Sequence, residues 1–159
     1  MDSLYPIFRW IDTTTISKAI NNSKWLFPAI EGVHIVALAL LFGAVIVLNL
    51  RVLGIGIRQR RASDLAQELA PWTFCSLLII LTTGILLFAA EATKSFHSTP
   101  FRIKIVLLVT AIVFHYTVSR RIMNGGDALA HPRLAKGAAV FAIVLWMSVG
   151  FAGRAIGFF

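Results

Sequence analysis

The chain has 159 residues, one domain's worth, and its 58% hydrophobic and 14% charged content excludes an ordinary soluble domain. The formal net charge of +8 does not mark a nucleic-acid binder, because the basic residues stand at the ends of apolar runs and not along one face. The single cysteine, Cys75, excludes an internal disulfide and any cysteine-based metal cluster, and it reads as a small buried apolar residue.

The first 24 residues, opening MDSLYPIFRW, lack a basic n-region and a small-residue cleavage site, so no signal peptide is expected. Asp12 or one of Thr13 to Thr15 caps a short helix reaching Asn21. Phe8, Trp10, Ile11, Ile16 and Ile20 would lie in a membrane interface, with Arg9, Lys18 and Lys24 toward headgroups. Four apolar runs follow: Gly32 to Leu50, Leu69 to Ala90, Ile105 to Ser119 and Gly137 to Gly153. A membrane-crossing helix takes about 20 such residues. The first two runs suffice alone. The third does with Arg102 and Lys104 snorkelling, and the fourth with Arg154 doing the same. The fold expected is an all-α integral membrane protein, an up-down bundle of four transmembrane helices behind a short interfacial helix. The domain division is 1–24 and 25–159, with helices over 25–51, 70–91, 101–121 and 136–158.

The connections are short. In the first, Ser63 is expected to cap a polar helical turn, and Pro71 to lie near the start of the next helix. In the third, Gly125-Gly126 and His131-Pro132 break any helix. The first connection carries Arg51, Arg58, Arg60 and Arg61, the third Arg120, Arg121, Arg133 and Lys136, and the middle one only Lys94. By the positive-inside bias, loops one and three face the cytoplasm and both termini face the periplasm.

Polar residues inside such helices are costly and point to function. In EGVHIVALALLFG, Glu31 and His34 share a face of the first span. On the third, Lys104 and His115 share a stripe with Leu108 and Ala111. Arg102 and Arg154 fall toward the same outer side. Imidazoles on facing helices with nearby cations fit a b-type haem: His34 and His115 as iron ligands, Arg102, Lys104 and Arg154 toward the propionates. Glu31 would accept the second N–H of His34 and fix its tautomer. Counted from Trp25 and Phe101, His34 lies about 13 Å and His115 about 21 Å deep. That leaves two arrangements: one shared iron, or an outer site of His34 with His97 and an inner site at His115. His131 is expected on a solvated surface. Each residue also has a plainer reading. The three cations snorkel. Glu31 pairs with Lys104 or Arg154, and the histidines serve as interhelical hydrogen-bonding groups.

Ser76 and Thr83 share a face of the second helix and are expected to bond across helices, while Asn49 and Arg51 bind backbone or lipid phosphate. Gly150, Gly153 and Gly157 give the fourth helix a small-residue face, for packing within the bundle or in a homo-oligomer.

WLFPAIEGVHIVALALLFG, LNLRVLG, the PFRIK and FH of the third helix and the closing GRAIGFF together resemble an uncharacterised family of small bacterial four-helix inner-membrane proteins. The resemblance covers nearly the whole chain and implies Glu31, His34, Arg51, Lys104, His115 and Arg154 as the positions of interest. The chain departs from the family pattern at Asn49, where an acidic residue is usual, and at Ala155, where an aromatic is. By architecture it is distantly similar to the membrane domains of copper-resistance D proteins and b-type cytochromes.

Three functions follow as expectations. The first is a haem b protein passing electrons between the quinone pool and a periplasmic partner. The second is a proton or metal-ion permease or sensor using Glu31, His34 and His115, with copper or no cofactor. The third is a structural subunit of a larger membrane complex. No nucleophile–base pair, phosphate loop or zinc-hydrolase spacing is seen, so an electron-transfer or membrane subunit is expected in preference to a stand-alone enzyme.

Overall fold

The computed structural model describes residues 9–11, 13–56, 61–93, 99–119 and 132–155. His97, His131, Gly125-Gly126 and Gly157 lie outside them. The described residues hold no strand. Helix α1 (Thr15–Asn22) is followed by α2 (Leu26–Leu53), α3 (Ala62–Ala90), α4 (Thr99–Phe114, continued by a π-helical segment His115–Ser119) and α5 (Pro132–Ala155). Each of α2 to α5 contains a stretch long and apolar enough to cross a membrane, the mark of a multi-pass membrane protein.

Local chemistry sets the helix ends. Thr14 caps α1 by accepting from the Ser17 N–H. Gly54, at φ 83°, closes α2 by donating to the Leu50 and Arg51 carbonyls, a left-handed turn that a side chain would resist. The polar turn foreseen before Pro71 belongs to α3 itself: the helix starts at Ala62, behind Arg61 and not Ser63, and Pro71 lies inside it. The proline takes one N–H from the ladder, and the Thr73 hydroxyl bonds the Leu69 carbonyl one turn back. The early start has a packing reason. Leu65 is buried against Leu48, which extends the α2–α3 seam past the apolar run.

The four long helices run alternately up and down. Their buried positions recur at three- and four-residue steps: His34, Ala37, Leu41, Val45 and Leu48 on α2, Thr73, Ser76, Leu77, Ile80 and Thr83 on α3, Ala135, Ala139, Ala142, Trp146 and Val149 on α5. Among the described residues of α4, Ala111 is buried. Helix α2 packs along both α3 and α5, and α4 packs along α5. The spatial order is therefore α3–α2–α5–α4. Helices α3 and α4, consecutive in the chain, do not run in close backbone contact. They meet where Phe88 stacks on Phe101, ring centroids 5.3 Å apart.

Helix α1 sits on the end of α3. Ser17 and Ile20 are buried, and the Asn21 side chain donates to the Ala90 carbonyl at 2.9 Å. Ile20 thus faces protein, not the membrane interface expected for it, because α3 needs a donor at its unsatisfied C-terminal carbonyls. Cys75 differs from expectation too: it is exposed on the outer face of α3.

Candidate functional site

His34 is 7% exposed and turns from α2 into α3. Its Nδ1 lies 2.7 Å from Thr83 Oγ1. The Thr83 hydroxyl also stands 2.6 Å from the Ile79 carbonyl, one turn back on its own helix. A carbonyl at that distance needs the hydroxyl proton, so the threonine oxygen accepts from the imidazole Nδ1–H. The tautomer follows: Nδ1 carries the proton and Nε2 keeps a lone pair. Gly84 leaves room for the ring; a Cβ there would stand 3.5 Å from the imidazole Cε1.

Glu31 is not the residue that orients His34. It is exposed, and Thr83 already holds the N–H assigned to it. The pattern of the first span alone could not reveal this, since the partner is 49 positions away. Thr83 was legible as a bonding residue, but not as the partner of this histidine.

Lys104 is half-buried, and its side chain lies along Gly153 of α5, where a Cβ would come 3.4 Å from both Cε and Nζ. It is close enough to His34 for its charge to act on the imidazole. No acidic side chain pairs with it among the described residues. Arg102 and Arg154 are exposed, so of the three cations expected beside the site only Lys104 is turned into the bundle.

His115 stands elsewhere. Its ring packs edge-on against Trp146 at 6.5 Å and Tyr116 at 5.2 Å, at the start of the π-helical segment. Gly150 meets Phe42, Gly153 meets Lys104, and Phe114 meets Phe141. That register puts His115 near the level of Leu50, roughly 20 Å along the bundle from His34. Of the two arrangements, this register fits separate outer and inner sites better than one shared iron. The depth count placed the start of the third helix level with the start of the first; α4 begins lower in the bundle.

Asn49 is buried and donates to the Val45 carbonyl at 2.7 Å, so it binds backbone and not lipid phosphate. Its Oδ1 is buried without a partner. Gly150 and Gly153 face Phe42 and Lys104, so their small-residue face serves contacts within the bundle. No group of three or more metal-binding His, Cys, Asp or Glu side chains occurs among the described residues.

This architecture defines a small all-helical protein with four candidate membrane spans and a histidine–threonine–lysine cluster near one end. Residues 7–159 match the model of a family described as "Family of unknown function (DUF6644)", and the chain belongs to that family. No curated protein and no solved structure matches it.

Proposed function

We propose that this protein is a membrane-embedded b-type haem protein that moves electrons between the quinone pool and a periplasmic partner. It would reside in the bacterial inner membrane with both termini outside, α1 lying at the interface. One observation carries the reading: a neutral imidazole whose Nε2 lone pair is fixed by a donor bond to Thr83, beside a lysine with no acidic partner among the described residues. A metal takes the lone pair, and a second-shell acceptor on the other nitrogen is the usual way to orient such a ligand. A bound carboxylate answers the lysine. Haem supplies both groups in one molecule, together with one-electron redox chemistry.

The chain's own residues then have distinct tasks. His34 binds the iron from α2, Thr83 sets its ring, and Lys104 holds a propionate. Arg102 and Arg154 stand at the outer surface, where a partner's charge meets them. His115 marks a separate inner position about 20 Å away. His97 remains the candidate for completing the outer site.

A reduced-minus-oxidised visible spectrum of the protein, purified in mild detergent after expression with ample haem, tests this. A Soret band with sharp α and β bands is expected, lost in His34→Ala and retained in part in His115→Ala. A colourless wild-type protein overturns the reading. Metal analysis of that sample would then separate a copper or other metal-ion carrier from a structural subunit.

A further inference from the structure

Three of the four seams of the bundle are closed by packed helices, and the one between α3 and α4 is not. The side chains along it are unevenly covered. By helical rotation from Phe88, whose ring faces α4, the seam row on α3 is Phe88, Leu81, Leu77 and Phe74. From Phe101 the row on α4 is Phe101, Ile105, Leu108 and Ile112. Phe74 is 58% exposed, Leu81 39% and Ile105 42%, while Leu77 is buried and Leu108 and Ile112 are partly buried against the core, so the rows cover one another only in part. The Phe88–Phe101 stack bridges them at the loop end. Inside the bundle, Lys104 of α4 lies along Gly153 of α5, and His34 of α2 is held by Thr83 of α3.

We infer that the α3–α4 seam is a lateral entrance from the bilayer, which admits a single-chain amphiphile bearing a carboxylate. The carboxylate pairs with Lys104 and the hydrocarbon lies between the two rows. Charge chooses the occupant. An ammonium inside an apolar bundle with no acidic partner among the described residues is expensive, and an anion arriving with its own apolar body offsets that cost. Depth narrows the choice further. With Gly150 at Phe42, Gly153 and the lysine beside it stand near the level of Ala39, more than three turns below the start of α2 and deeper than a bulky phospholipid headgroup settles, whereas a carboxylate on a slim chain follows it. Gly153 keeps the lysine in place, since the lysine stem occupies the space a side chain there would fill. This rests on Lys104 as the anion seat of the proposed site, but not on iron. A haem edge carrying propionates would use the same entrance.

The test is photolabelling of the full chain in phosphatidylcholine vesicles with a long-chain fatty acid carrying a diazirine in its tail, beside the alcohol of equal length. The labelled residues are then read by peptide mass spectrometry. The fatty acid is expected to concentrate on the Leu77, Leu81, Leu108 and Ile112 peptides at least five-fold over the alcohol. K104R should keep that preference and K104Q should lose it, with circular dichroism showing both variants folded. Labelling spread evenly over lipid-facing positions such as Val33 and Val144, or an unchanged preference in K104Q, would overturn the inference. A colourless protein that still labels in this pattern would overturn the haem reading alone.

Discussion

Thr83 is a residue whose task depends on two bonds at once. It gives its proton to Ile79 and takes one from His34, and so dictates which imidazole nitrogen is left open. Thr83→Val keeps the shape and removes both bonds, leaving a buried N–H without an acceptor. A loss of about 1–3 kcal/mol in detergent unfolding is expected. Any haem spectrum should broaden as the ring loses its fixed orientation. Glu31→Gln, by contrast, should leave stability and spectrum unchanged, because Glu31 is exposed and outside the cluster; a bleached Glu31→Gln protein would contradict the assignment. At this scale the sequence was half legible. His34 and Lys104 stood out because a charge or imidazole inside an apolar run has few innocent reasons. Thr83 did not stand out, since a threonine in such a helix ordinarily bonds its own backbone, as Thr82, Thr110 and Thr117 do here.

Among the helices, the glycines decide how near two elements come. A Cβ on Gly150 would stand 2.7 Å and 2.9 Å from the Phe42 ring, which is itself held edge-on by Trp146 at 6.3 Å. Gly150→Ala should therefore cost about 1–3 kcal/mol in unfolding stability as the α2–α5 seam is forced apart, and a smaller residue at Phe42 should restore most of it. Gly84→Ala is the control: its Cβ meets His34 at an ordinary 3.5 Å, and little change is expected. A Gly150→Ala protein as stable as Gly84→Ala would show that the aromatic pair yields freely. The existence and order of the helices were legible because apolar length alone announces a span. Their ends were not. The added turns of α3 before Pro71 follow from Leu65 meeting Leu48, a contact between elements that no single run displays. The small-residue pattern on α5 was visible, but not which neighbour it would face.

For the whole molecule, the alternating helices put the start of α2 and the last described turn of α5 at one end. The arginine-rich first and third connections then set the orientation expected. Reporter fusions at the two ends should both report the outer face, and one inserted in the first connection the cytoplasm; mixed results between the termini would contradict a four-span chain. The sequence also left open which helices are neighbours. Apolar runs carry no such label in lipid, where every helix is equally greasy and partners are chosen by small residues and polar groups. Here Gly150 and Gly153 pair α5 with α2 and α4, and that is what leaves α3 and α4 apart.

The order α3–α2–α5–α4 carries a consequence for synthesis of the chain. Helices α2 and α3 emerge as a hairpin that can pair at once. Helix α4 leaves the ribosome before α5, the helix along which it packs, and would wait in the bilayer with Lys104 unsheltered. Assembly of the bundle is thus completed only by the last helix made. A chain ending before Pro132 should insert three spans and be cleared by membrane proteolysis, while the same fragment co-expressed with residues 132–159 should be rescued.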